Sequence, residues 1–133
     1  MEQKITILLV DDHPLAPQGV RTALAQADDL EIVAEAQNGQ EAIQLVASLQ
    51  PDILLLDLKM SGIRAAEVEA WVREHHPATI TLVLTAHDRD FYLSEMLQAG
   101  ASGYLDKSQR GEQLIEAVRR AAAGESSSVR CSH

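Results

Sequence analysis

The chain has 133 residues, of which 46% are hydrophobic and only 3% aromatic, the makeup of one domain with an aliphatic core large enough to fold alone. Its formal net charge of −9 repels phosphate backbones and anionic lipid, which argues against direct nucleic-acid or membrane binding by this domain. The single cysteine, Cys131, lies in a polar tail, so a disulfide framework and a cysteine-based metal site are both excluded. With no signal peptide and no apolar run near the ~20 residues that cross a bilayer, the expected location is the cytoplasm.

In chain order, short apolar runs alternate with longer segments of helical period. The runs KITILLV (4–10), LEIVAEA (30–36), DILLL (52–56), ITLVLT (80–85) and SGYLDK (102–107) read as strands. The first, third and fourth are nearly continuous in apolar residues, as strands buried on both faces are. Between them, Leu15–Ala27 carries Val20, Leu24 and Ala27 on one stripe, and Gly39–Leu49 carries Ala42, Ile43, Val46 and Leu49. A helix between Arg64 and His75 is anchored by Trp71, AGAS (99–102) closes another helix, and Glu112–Ala123 carries Leu114, Ile115, Val118 and Ala122. Those spacings are helical. Residues 1–124 therefore read as one domain, and GESSSVRCSH (124–133) begins a linker or frayed tail over 125–133. Strands alternating with helices predict an α/β fold, a doubly wound (βα)5 unit with a parallel sheet and right-handed crossovers.

Such a sheet binds ligands at the carboxyl ends of its strands, beside the point where strand order reverses. Asp11 and Asp12 follow the first strand, Asp57 the third, Thr85 the fourth and Lys107 the fifth, whereas the second ends in EAQNG. With strand order 2-1-3-4-5 the second strand is an edge and the others meet at one cleft. Like charges ~4 Å apart repel by about 4 kcal/mol at an effective dielectric near 20, so converging carboxylates need a cation or a proton. Carboxylate and carbonyl oxygens, with no Cys or His cluster, suit Mg²⁺. A cation, the Lys107 ammonium and the Thr85 hydroxyl around one carboxylate make a phosphoryl-transfer site with Asp57 as the nucleophile.

Two other readings fare worse. A flavodoxin-type nucleotide binder needs a hydroxyl- and glycine-rich loop after the first strand, and VDDHP would repel an anion. A haloacid-dehalogenase-type hydrolase needs a second acid two residues after the nucleophile, where this chain has Lys59.

ILLVDDHP, DILLLDLKMSG, LVLTAHD and AGASGYLDK resemble the receiver (CheY-like) domain of two-component response regulators, most closely the NarL/FixJ (LuxR-type) group. The likeness runs over roughly residues 4 to 124. It implies a flavodoxin-like sheet and a signalling switch rather than an enzyme acting on other substrates, controlling an output such as transcription. It further implies that Asp57 accepts phosphate from a sensor histidine kinase. Asp12, Asp57 and the Lys59 backbone carbonyl would hold Mg²⁺ with help from Asp11, Thr85 and Tyr104 would form the switch, and Lys107 would pair with the phosphoryl group. A homodimer is a further partner to consider. Receivers of this group continue into a helix-turn-helix domain, so such an output domain either belongs to a longer protein or is replaced by a separate partner. The competing class is a pseudo-receiver, an interaction scaffold that ignores phosphate.

Several residues depart from the family pattern. After the phosphoacceptor the family usually reads Met-Pro-Gly-Met-Asp-Gly, and here it is Met60-Ser61-Gly62-Ile63-Arg64-Ala65. Losing the proline loosens that loop, and Arg64 replaces an acid near the kinase-facing rim. Pro17 predicts a first helix starting at or near it rather than at Pro14. Asp106 replaces an aliphatic residue and by alternation shares a face with Tyr104. Lys59 and His87, two residues after Asp57 and Thr85, line the approach of water to a phospho-aspartate. An ammonium donates but cannot accept, so Lys59 does not orient that water. His13, His75, His76, His87 and His133 are scattered and read as solvated rather than ligating. Glu31, Glu35, Glu67, Glu69 and Glu74 read as solvated faces.

Overall fold

The computed structural model describes residues 4–11, 18–57, 64–85, 96–106 and 111–124. Strands β1 (Ile5–Val10), β2 (Leu30–Ala36), β3 (Ile53–Asp57), β4 (Ile80–Thr85) and β5 (Gly103–Asp106) alternate with helices. These are α1 (Gln18–Ala25), α2 (Gly39–Leu49), α3 (Ala65–His75), a helical stretch at 96–99 (α4) and α5 (Gly111–Ala122). The strands form one five-stranded parallel sheet, as the alternating pattern predicts, in the order β2-β1-β3-β4-β5 that the receiver resemblance implies.

Each face of the sheet has its own apolar layer. Ile7, Leu9, Ile53, Leu55, Leu82, Leu84 and Leu105 meet Val20 and Leu24 of α1 and Leu114, Ala117, Val118 and Ala121 of α5. Leu8, Val10, Leu54, Leu56 and Val83 alternate onto the other face against Ala42 and Val46 of α2, Ala65, Val68 and Val72 of α3, and Met96 of α4. Every residue of β3 is buried, which explains its unbroken apolar run: a central parallel strand has no solvent side. Trp71 packs on the second layer, as expected, while its ring stacks on His75 with centroids 4.4 Å apart.

The lower edge of the sheet is fixed by polar contacts. Thr6 donates its N–H and its hydroxyl to Asp52 Oδ2, at 3.0 and 3.1 Å, and its Oγ1 accepts from the Asp52 N–H at 2.9 Å. Asp52 is therefore a cross-strand clamp ahead of β3 and not its first residue. The Ile80 N–H donates to the Asp52 carbonyl at 3.0 Å, and the buried Thr79 hydroxyl to the Pro51 carbonyl at 2.8 Å. The starts of β1, β3 and β4 are thus held level, which aligns their far ends.

Element ends moved slightly from expectation. The first helix ends at Ala25 rather than Ala27, the chain tightening through Gln26 N–H to Ala23 O and Ala27 N–H to Leu24 O bonds, though Ala27 remains buried. β3 runs one residue further than the apolar run and takes in Asp57, paired with Leu84. Backbone pairing does not stop at a polar side chain. Pro14 and Pro17 lie outside the described residues.

Candidate functional site

The sheet register brings the site to one level. Val10 pairs with Leu56, Leu56 with Val83 and Val83 with Tyr104. One residue beyond this row, Asp11 and Asp57 close the two strands, β1 and β3, between which the strand order reverses. Both carboxylates are withdrawn from solvent, Asp11 to 7% and Asp57 to 2% exposure. The Asp11 N–H donates to the Ala36 carbonyl at 3.0 Å, extending the β1–β2 ladder by one bond and fixing the direction in which the chain leaves the sheet.

Thr85 ends β4 opposite Asp106, and Tyr104 lies within β5. The half-buried Tyr104 packs on the α2–α3–α4 layer. Thus Asp11, Asp57 and Thr85 lie at the carboxyl edge of the sheet, where the sequence reading put them, and Tyr104 lies one row inside the acids. Asp12, Lys59 and Lys107 lie outside the described residues, as do Ser61, His87 and the side chains of Thr85 and Asp106. Arg64 is exposed at the start of α3, its guanidinium Nε 4.0 Å from Glu67.

Two buried carboxylates at neighbouring strand ends offer hard oxygen donors, the chemistry that Mg²⁺ takes and softer metals decline. Among the described residues no group of three His, Cys, Asp or Glu side chains converges, so any third acid ligand has to come from outside them.

The expectation that Glu69 is solvated is overturned. Its side chain is fully buried on α3, whereas Glu31, Glu35, Glu67 and Glu74 are exposed. Ala65, Val68, Glu69 and Val72 occupy positions i, i+3, i+4 and i+7 of the helix, so the helical period itself puts Glu69 on the buried stripe. Arg73, one turn on, brings Nε within 2.8 Å of Glu69 Oε2. The buried Thr81 hydroxyl of β4 completes the group. Burial pushes the Glu69 carboxyl above the usual range, against the pull of the Thr81 hydroxyl and the Arg73 guanidinium.

Elsewhere the surface ion pairs tie elements together. Arg119 of α5 donates to both oxygens of Asp29, at 2.9 and 2.8 Å, and these bonds hold the Asp29 carboxyl below its ordinary range. Arg21 of α1 grips Glu35 of β2 in the same way at 2.6 Å.

Residues 7–119 match the family model described as response regulator receiver domain. The transcriptional regulatory protein DegU of Brevibacillus brevis is 38% identical over 123 residues, 92% of this chain and 52% of that protein. The nitrate/nitrite response regulator protein NarL of Escherichia coli K12 is 39% identical over 124 residues, 93% of this chain and 57% of that protein. This chain thus spans little more than half the length of these relatives. Among solved structures, the signal receiver domain of the response regulator NarL from Mycobacterium tuberculosis superposes with a TM-score of 0.86 at 36% identity, covering 92% of this chain and 99% of that one. No helix among the described residues is long and apolar enough to cross a membrane. With five parallel strands in the order β2-β1-β3-β4-β5, paired acids at the reversal point and a family match over most of its length, the chain belongs to the response regulator receiver domains.

Proposed function

We propose that this receiver, residues 1–124 ahead of a tail at 125–133, takes a phosphoryl group onto Asp57 from a sensor histidine kinase and thereby changes its β4–β5 end. The observation that carries the reading is the placement of Asp57, a carboxylate ending a wholly buried central strand, one strand from Asp11. An Asp57 carboxylate oxygen attacks phosphorus in line, the new P–O bond forms as the P–N bond to the kinase imidazole breaks, and the imidazole leaves with its electron pair. Because the β3 ladder fixes the Asp57 backbone and burial confines its side chain, little orientational freedom is lost on reaching the transition state.

Asp11, Asp12, Asp57 and the Lys59 carbonyl are the residues that would hold Mg²⁺, which when bound supplies the positive charge that an anionic donor and three acids require. Lys107 pairs with the phosphoryl oxygens, and Thr85 donates its hydroxyl to one of them. Tyr104, half-buried on the same edge, follows the Thr85 movement. The domain catalyses only its own phosphorylation and dephosphorylation, works in the cytoplasm and passes the signal to a DNA-binding output domain or partner, directly or as a homodimer. The relatives' names as transcriptional regulators support that output.

Intact-protein mass spectrometry after incubation with acetyl phosphate and Mg²⁺ tests this. Wild type gains one phosphoryl group and Asp57→Asn gains none. Equal gain in both moves the acceptor elsewhere, and no gain in wild type favours the phosphate-blind scaffold.

A further inference from the structure

Glu69 and Arg73 sit at the opposite end of the sheet from the acids, and they touch the segment that feeds β5. The Arg73 guanidinium donates to the Pro77 carbonyl at 3.1 Å and to the Thr79 carbonyl, both in the turn that leads into β4. Its Nε faces the buried Glu69 carboxylate at 2.8 Å. The Arg73 stem lies directly under Gly100, where an added Cβ would come within 2.8 Å of Arg73 Cγ and Cδ and 3.1 Å of Glu69 Oε2. Gly100 has φ of +123°, a conformation only glycine adopts without strain.

Gly100 is also the turn between α4 and β5. The Gly100 and Ala101 N–H groups donate back to Leu97 O and Met96 O, and the Ser102 N–H donates to Thr81 O at 2.9 Å. Thr81 in turn places its buried hydroxyl beside Glu69. One charged pair therefore spans α3, the entry to β4 and the turn into β5. Displacing that turn would lift the Arg73 stem and strip a buried carboxylate of its cation, which is costly where water cannot replace it.

We propose that Glu69, Arg73 and Gly100 form a latch that fixes the turn entering β5 at rest and sets how far the β4–β5 end responds when Asp57 is phosphorylated. Glu69 and Arg73 act here as positioning residues, remote from the reacting atoms. The signalling half of this statement rests on the proposed phosphoacceptor role of Asp57; the resting latch does not.

Residue-resolved amide hydrogen exchange separates a latch from ordinary packing. In Glu69→Leu/Thr81→Val, which replaces the polar group with apolar side chains, exchange at Leu54–Leu56 stays the same or slows. Exchange at Gly100, Ala101 and Ser102 rises at least tenfold. Arg73→Lys, which keeps the charge and an aliphatic stem but offers one nitrogen in place of the three that reach Glu69, Pro77 and Thr79, gives the same local rise. If residues 100–102 keep wild-type rates in both variants, or follow the rest of the sheet, the latch is refuted.

With acetyl phosphate and Mg²⁺, the double variant takes up phosphate at Asp57 at a rate within twofold of wild type. Its phosphate-dependent exchange change over 100–106 shrinks at least threefold. An undiminished change overturns the signalling half. Absence of phosphate uptake by wild type overturns the Asp57 assignment and, with it, that half alone, leaving the resting exchange to decide the latch.

Discussion

Asp57 is part of the β3 ladder, paired with Leu84 and 2% exposed, an acid that ends a buried strand at a desolvation cost an apolar side chain would not bear. That much was legible from the sequence, because an acid broke an apolar run at a strand end where three other strand ends were also polar. Glu69 was misread because its residue type was weighed above its place on the Ala65–Val68–Val72 stripe. Its burial raises its pKa, and the sign follows. The folded state binds the Glu69 proton more tightly than the unfolded chain, so the fold gains stability as pH falls from the raised value toward the ordinary carboxylate range. Arg73 from α3 is the charged group facing Glu69 among the described residues, while Thr81 from β4 and the Gly100 turn bring no charge. Urea melts across this range should show that gain in wild type and lose it in Glu69→Gln; equal slopes would contradict it. Removing the cation alone, as in Arg73→Ala, is expected to cost about 3 kcal/mol at neutral pH and less at acid pH. At Lys59, whose ammonium cannot orient water, Lys59→Asn should speed loss of the phosphoryl group about tenfold, a change of ~1.4 kcal/mol in barrier. Following decay in Mg²⁺ without kinase checks it, and equal or slower decay refutes it.

Among elements, α2 has the most locally written start. Asn38 Oδ1 accepts from the Glu41 N–H at 2.9 Å while Glu41 Oε1 accepts from the Gln37 N–H, also at 2.9 Å, a reciprocal cap that uses donors the helix cannot satisfy itself. Its far end closes on Gln50 in the left-handed region, with the Gln50 N–H donating to Val46 O. Asn38→Ala should lower stability by about 1 kcal/mol, read as a shift in the urea midpoint with an unchanged slope. The strands were legible for a different reason: burial on both faces leaves so little room for polar residues that apolar runs mark them to within a residue or two. What their pattern did not carry was the Thr6–Asp52 clamp and the Thr79–Pro51 bond. Such contacts join residues far apart in sequence, and each residue alone reads as an ordinary polar position beside a turn.

At the scale of the whole molecule, the same sheet keeps its two ends distinct: the Thr6–Asp52 and Thr79–Pro51 hydrogen bonds and the Glu69–Arg73 pair at the amino edge, Asp11 and Asp57 at the carboxyl edge. The strand order, which the receiver resemblance implies and the polar strand ends suit, is what places β1 and β3 side by side and the two acids with them. Acids gathered at one edge oppose folding until a cation joins them, so Mg²⁺ should stabilise the protein. At Mg²⁺ ten times its Kd the gain is about 1.4 kcal/mol, a rise of a few degrees in Tm. Asp12→Ala should lose most of that rise, and an equal rise in the variant would argue against a cation held by the acids. The phosphoacceptor itself can be located directly. After phosphorylation with acetyl phosphate and Mg²⁺, borohydride reduces an acyl phosphate to the alcohol, so a phospho-aspartate is recovered as homoserine. Peptide sequencing by mass spectrometry should find homoserine at position 57 and at no other acid. Homoserine at position 11 or 12 instead, or at none, would contradict the account.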